Sequence, residues 1–466
     1  MGKGKVYLVG AGPAGKDLIT VRGLQILQQA DVVIYDYLVD GELLDEARPD
    51  AELICGELGD KKLSEDNSQV RLKIINALLI KKAKAGKKVV RLKNGDPFIF
   101  GRAAEEITAL LENKIEYEVV PGITAAQAAA SFSGIPLTDR RVSSSVVFVT
   151  GHEASGKNKS AVDWKAIAGA GTIVLYMAVK NISGIVSKLT TVGKSPETPV
   201  AVIHQAGGLN QKICVGRLKN IAEVIERNHI GAPAIFIIGD TVACHKQFDW
   251  LKKNKRILFT GLSNKRFFIE GTYFHLPLIA IKPLDTYAEF DGYLKNIREF
   301  DWVVFTSRYG VEYFFKRLTW IGKDARILSN IKIAAVGTST ARHLLGFRIT
   351  ADLVPNDESS RGLLSAFAKI DIKDKKIFLP RSNLSDKGLV KGFKKLGAKV
   401  TASVVYKNVM PDYLPDIDVK SLDEIMFTSP SGVRNFNKRY GKPPKSIKIS
   451  CIGDVTLREA KKLKLW

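Results

Sequence analysis

Three sets of residues in this 466-residue chain have types and spacing that could do chemistry. GAGPAG, Gly10 to Gly15, follows the apolar run Val6-Tyr7-Leu8 and fits GxGxxG. In that pattern the glycines allow a tight turn and close backbone approach to the pyrophosphate of FAD or NAD. Asp36, closing the second apolar run DVVIYD, stands where a dinucleotide enzyme could place its ribose acid. In the second half, DWVVFTSRYG and DEIMFTSPSG set Thr306, Ser307, Ser429 and Ser431 in turns between a strand and an amphipathic helix. IKIAAVGTST and IKISCIGDVT do the same for Thr338 and Thr456. Each hydroxyl there is either a helix N-cap or a group presented to a ligand, or both. His204, His245, His275 and His343 form no metal-ligand spacing, and Cys55, Cys214, Cys244 and Cys451 form no CxxC, so no metal is expected and the thiols read as buried and free.

The elements around these residues limit what they can do. A dinucleotide fingerprint needs its helix to start on the glycines, whereas here Lys16-Asp17-Leu18-Ile19 intervenes and Thr20 reads as the cap of the helix VRGLQILQQA. Up to about Asp240 the strand candidates VYLVG, DVVIYD, KVVRLK, EYEVVP, SVVFVTG, GTIVLYM, TPVAVI and AIFIIGD alternate with helical stretches, which predicts an α/β layered architecture. The basic stretch HKQFDWLKKNKRILFTG then leads into a fresh strand, placing a boundary between domains at 1–248 and 254–466. The paired turns quoted above recur in the same order, so the second domain reads as two similar α/β lobes with a cleft between them. Trp250, Trp302, Trp320 and Trp466 read as packing residues.

Charge is unevenly spread. Residues 1–250 hold 31 Lys and Arg against 27 Asp and Glu, while the remaining 216 hold 40 against 21, a net of +19 in a chain of +23. Such a field concentrates anionic partners, whether nucleic acid, polycarboxylate or phosphate. No stretch has the length of a membrane span and the N-terminus enters a strand, so the expectation is a cytoplasmic protein without membrane attachment.

The stretches NGDPFIFGRAAEE, PGITAA, GIPLT, TGH, YMAVKN, QKICVGRL and GAPAIFIIGD, taken with GAGPAG and YDYLV, resemble the uroporphyrinogen-III C-methyltransferases of the tetrapyrrole methylase class, from Val6 to about Val242. The resemblance implies S-adenosylmethionine held between two α/β lobes, with S-adenosylhomocysteine as its product, and GAGPAG as a loop facing the tetrapyrrole cleft. The cofactor contacts it implies fall on Pro13 in the first loop and on Asn94, Gly95, Asp96 and Ile99 in the NGDPFI loop. Further along they fall on Thr124 and Ala125, then on Met177, Ala206 and Ala234. Asp36 takes the position of the family's proton-accepting aspartate, and the family's proton-donor lysine falls at Glu57. Asn94 and Ala14 replace glycines of the family's GGDP and GPGD. A homodimer through the methyltransferase domain is also implied.

VVFTSRYGVEYF, AAVGTSTARHLLG, FLPRSNLSDKGLVKGFKKLGAKVTASVVYKN, IMFTSPSGV and CIGDVTLREA are similar to uroporphyrinogen-III synthase. That family closes linear hydroxymethylbilane to uroporphyrinogen III with inversion of the last ring. Its octa-anionic substrate suits the +19 half. The resemblance places Thr306, Ser307, Thr338, Ser429 and Ser431 along the cleft, with Tyr406 and Thr456 as catalytic candidates and Tyr406 as an acid toward the departing hydroxyl. Together the two halves predict a bifunctional enzyme that carries hydroxymethylbilane through uroporphyrinogen III to precorrin-2, without nucleic acid. A flavin- or NAD-dependent oxidoreductase would use GAGPAG and Asp36 but leaves NGDPFIF and PGITA unused. A related methylase acting on RNA or on diphthamide would share the first domain but not the second.

Overall fold

The computed structural model describes residues 4–48, 50–56, 68–152, 162–263, 272–385 and 387–466; Glu57 lies outside them. The chain divides into two compact units, residues 1–256 with 270–274, and residues 257–269 with 275–466.

The first unit contains two sheets. β1 (Lys5–Gly10), β2 (Val32–Tyr35), β3 (Glu52–Cys55), β4 (Lys88–Lys93) and β5 (Glu116–Val120) form a fully parallel sheet in the order β3-β2-β4-β1-β5. β6 (Val146–Thr150), β7 (Thr172–Tyr176), β8 (Pro199–His204), β9 (Lys212–Arg217) and β10 (Ala234–Ile238) form a mixed sheet in the order β6-β7-β10-β8-β9. All eight expected strands are present. β3 and β9 are additional, and both are edge strands with half-exposed residues, so neither carries the apolar run that marks a buried strand.

Two further sheets follow along the chain. β11 (Arg256–Phe259) and β12 (Thr272–His275) come first in sequence, followed by β13 (Ala280–Lys282), β14 (Trp302–Phe305), β15 (Lys332–Ala335), β16 (Lys376–Ser382), β17 (Lys399–Val409), β18 (Glu424–Phe427) and β19 (Lys448–Cys451). They pair as β12-β11-β18-β19 and β13-β17-β16-β14-β15. The architecture is therefore α/β in both halves, each with two lobes. The repeat is physical: Ser307 and Ser429 both cap the helix that follows a strand, accepting from the amides of Gly310 at 2.9 Å and Gly432 at 3.1 Å. Removing either cap is worth about 1 kcal/mol, so Ser307→Ala should lower the second unit's thermal midpoint by a few degrees in calorimetry.

Two packing expectations change. Of the four tryptophans read as packing residues, Trp302 is in a core, whereas Trp250, Trp320 and Trp466 are exposed; the Trp250 ring lies against Phe132, and Trp320 carries the Arg317 guanidinium 3.6 Å above its ring. The four thiols are free but half-buried rather than buried. Among the described residues no helix is long and apolar enough to cross a membrane, and no group of His, Cys, Asp and Glu could hold a metal ion.

Candidate functional site

The loops after β1, β2, β4 and β5 lie at the carboxyl ends of a parallel sheet, the end where open α/β sheets bind ligands. Three of these loops meet through glycine backbone. Gly12 and Gly95 exchange amide-to-carbonyl bonds of 3.2 and 2.9 Å, and a Cβ at Gly10 would lie 2.6 Å from the Gly122 nitrogen. Gly12 and Gly95 also have φ of 76° and 66°, a region costly for other residues. Asp96 ties the junction: one carboxylate oxygen accepts from the Gly122 amide at 3.0 Å, the other from the Phe98 amide at 2.8 Å.

GAGPAG leads into a single 3-10 turn, Lys16–Leu18, and not into an α-helix. The helix Val21–Leu27 starts after Thr20, whose hydroxyl accepts from Gly23 N–H at 3.1 Å and so fills the capping site a phosphate would need. The arrangement does not suit a pyrophosphate. It offers apolar and aromatic surface to a ligand, because Met177, Phe98 and Phe100 are exposed on the loops nearby, with Met177 held at φ 54° at the end of β7.

Tyr176 organises the residues expected around the cofactor, although its role was not read from the sequence. Its hydroxyl is 2.6 Å from that of Thr124 and accepts from the Ala126 amide at 3.2 Å, and its ring lies 4.8 Å from Phe100. Ile99, Ala125 and Ala206 pack on the cluster that contains Tyr176. Ala234 faces the opposite side of β10, toward the cluster of Phe236 and Ile238, so its side chain is not brought to this group. Pro13 and Asn94 are half-buried in the first and third loops.

Asp36 sits just beyond β2 in a charged network that sequence reading missed. Arg91 and Lys93, two apart on central β4, share the face of Val89, toward the helix Ala103–Glu112. That helix buries Ala103, Glu106 and Leu110. Glu106 Oε1 accepts from Arg91 Nε at 3.0 Å and from Lys93 Nζ at 2.8 Å, and Arg91 Nη2 donates to Asp36 Oδ1 at 2.5 Å. Asp36 Oδ2 accepts from the Asn94 amide at 3.2 Å. Asp36 has 31% of its side chain exposed, whereas Arg91, Lys93 and Glu106 have 3% or less, so Asp36 is the network's outlet to solvent. Burial pushes the Asp36 carboxyl up. The Arg91 and Lys93 charges, with the hydrogen bonds from Arg91 and Asn94, outweigh burial and hold it below the ordinary carboxylate value. The signal in the sequence was two cations inside the apolar run KVVRLK.

In the second unit Tyr406, 6% exposed on β17, has its hydroxyl 3.0 Å from Ser307 Oγ, with the Tyr309 and Tyr313 rings beside it. Burial raises its pKa against the pull of the Ser307 and Ser382 hydrogen bonds, so the phenol keeps its proton at neutral pH. Asn408, two residues further on, donates to Ser431 Oγ across the lobes at 3.4 Å, and Ser431 lies 3.2 Å from Ser429. Tyr406, Ser307, Ser429 and Ser431 thus gather along one seam, and Thr306 precedes Ser307 half-buried. Thr338 is exposed but already donates to Glu358 Oε1 at 2.6 Å, a partner 20 residues away that local spacing could not reveal. Thr456 is 3% exposed on the packed side of the helix Asp454–Lys462, in the other lobe from Tyr406, which leaves its hydroxyl enclosed rather than presented.

Comparison with known proteins agrees with both halves. The family described as Tetrapyrrole (Corrin/Porphyrin) Methylases matches residues 5–222, and that described as Uroporphyrinogen-III synthase HemD matches residues 270–465. The porphyrin biosynthesis protein HemD of Ruminiclostridium josui is 33% identical over all of this chain and 95% of its own length. The uroporphyrinogen-III C-methyltransferase of Priestia megaterium is 44% identical over 51% of this chain and 98% of its own. A crystal structure of uroporphyrin III C-methyl transferase from Thermus thermophilus aligns with 51% of this chain and 99% of its own at 34% identity and a TM-score of 0.44. The chain belongs to the HemD-type family of porphyrin biosynthesis proteins, with a tetrapyrrole methylase segment followed by a uroporphyrinogen-III synthase segment. It is a bifunctional enzyme of tetrapyrrole biosynthesis.

Proposed function

We propose that the second unit closes hydroxymethylbilane to uroporphyrinogen III with inversion of the last ring, and that the first methylates that product twice, at C2 and C7, to give precorrin-2. The methyltransferase domain is read as 1–248, the synthase as 254–466, and the working form as a cytoplasmic homodimer through the first domain. The observation that carries the reading is the pair of sites: a carboxylate held ionised at the open end of β2, and a protonated phenol at the seam of two lobes in the basic half.

When bound, S-adenosylmethionine supplies an electrophilic methyl group and leaves as S-adenosylhomocysteine. Thr124, Ala125, Ile99 and Ala206, fixed around Tyr176, bind it, with Met177, Pro13 and the loop Asn94 to Asp96 completing the wall. Methylation of a pyrrole carbon leaves the macrocycle one positive charge richer. The Asp36 carboxylate stabilises that charge and takes the proton whose loss discharges it. A base held below the ordinary carboxylate range suffices because the proton leaves a cation.

In the other unit the Tyr406 phenol, oriented by Ser307, donates to the hydroxyl that departs from the bilane, while Ser429 and Ser431 position its carboxylates. Tyr406→Phe should slow ring closure about 10–100-fold, the loss expected of one buried hydrogen bond, with methylation of supplied uroporphyrinogen III unchanged.

The reading is tested by giving the purified protein fresh hydroxymethylbilane with and without S-adenosylmethionine and analysing the oxidised products by chromatography and mass. Uroporphyrin III without the methyl donor and a dimethylated product with it are expected. Uroporphyrin I in every reaction would remove the synthase assignment, and isomer III without added methyls would remove the methylation assignment.

A further inference from the structure

Four charged groups in the first unit are arranged as a chain: Asp36, Arg91, Glu106, Lys93. Only the first reaches solvent. The guanidinium is the branch point. Its Nη2 holds Asp36, its Nε holds Glu106, and its Nη1 lies 3.4 Å from the Ile34 carbonyl and 3.3 Å from the Leu92 carbonyl. Every edge of the fork is therefore occupied, so Arg91 can neither rotate nor withdraw without breaking buried contacts. Lys93 pins Glu106 from the far side. Glu106 Oε2 is buried and has no hydrogen-bond partner among the described residues, so Glu106 is retained at some cost for what its other oxygen does.

Such a cluster is weak as a device for stability, since apolar residues of similar volume often serve as well. Its geometry is better explained by what it presents. We propose that Arg91 is a positioning residue for the Asp36 carboxylate, locked in place by Glu106 and Lys93, and that it fixes both the direction and the ionisation of the base at the site. This rests on the reading of Asp36 as the proton acceptor. Two charged groups act on Asp36, Arg91 and Lys93 on β4; Glu106 acts on both cations, and at the start of the facing helix Glu105 feels the Lys93 charge while Arg102 pairs with Glu105 and acts on Glu106. Burial and the neighbouring Arg91 charge pull Lys93 below the ordinary lysine value, consistent with a site where one more cation is poorly tolerated and Glu106 is needed to balance two.

The test uses the full chain, following the pH dependence of kcat/KM for methylation of uroporphyrinogen III, with S-adenosylhomocysteine binding as the check on folding. In Arg91→Lys a point charge replaces the fork and cannot hold Asp36 and Glu106 together, so the acid limb should move up by about one pH unit or more. Glu106→Gln leaves the cations less compensated, so the limb should move down, with kcat reduced about tenfold. A limb at the parent position in either variant, with S-adenosylhomocysteine binding intact, overturns the proposal; if Arg91→Lys fails to bind it, Glu106→Gln alone decides. Methylation at the parent rate by Asp36→Asn would remove the base assignment and the proposal with it. An inactive Asp36→Asn beside an unmoved limb removes the proposal alone.

Discussion

The Asp36→Asn variant is expected to methylate uroporphyrinogen III about 10²–10⁴-fold more slowly than the parent, while closing hydroxymethylbilane at the parent rate. The amide oxygen can still accept from Arg91, but the NH2 that replaces the other oxygen cannot accept from the Asn94 amide, and the side chain neither takes a proton nor offsets positive charge on the macrocycle. A coupled assay separates the effects: isomer III should accumulate unmethylated. Stability should change in a pH-dependent way as well. The folded Asp36 carboxyl lies below its ordinary value near 4. Its contribution is therefore complete above that ordinary value and is lost as pH falls through the folded one. Parent and variant should differ in thermal midpoint at neutral pH and converge in acid; a difference that persists in acid would contradict the ion-pair account.

The second large effect is expected from Gly122→Ala. A Cβ there would overlap the Gly95 carbonyl oxygen and lie 2.8 Å from Gly10 Cα, all of it backbone that cannot rotate aside. The three loops would have to separate, at about 1–3 kcal/mol, and the Asp96 clamp onto the Gly122 amide would open with them. Calorimetry should show S-adenosylhomocysteine binding weakened more than tenfold, with ring closure unaffected. Parent affinity in the variant would mean that the junction does not shape the cofactor site.

Much of this was legible in the sequence because it depends on local rules. Thr20 announces the late helix that rules out a pyrophosphate cradle, and the serines of FTSRYG and FTSPSG announce two equivalent caps. What was not legible depends on partners brought together only by folding. Glu106 meets Arg91 across 15 residues and Tyr176 meets Thr124 across 52, with no periodicity linking either pair. Thr338 is engaged by Glu358, 20 residues on, and Thr456 is turned inward on its helix, and local spacing encodes neither. The edge strands β3 and β9 escaped for a simpler reason, since a strand half open to water has no apolar run to betray it.

Placing two cations on the central strand of a sheet also constrains how this protein is assembled. β4 pairs with β1 on one side and β2 on the other, and its face carrying Arg91 and Lys93 dries when the helix Ala103–Glu112 docks on it. If the helix packed without Glu106 in register, Arg91 and Lys93 would be sealed away with one carboxylate between them, an arrangement that is strongly penalised. Docking of the helix Ala103–Glu112 and formation of the Glu106 contacts must therefore occur together, and a lobe with that helix packed in another register is poorly populated.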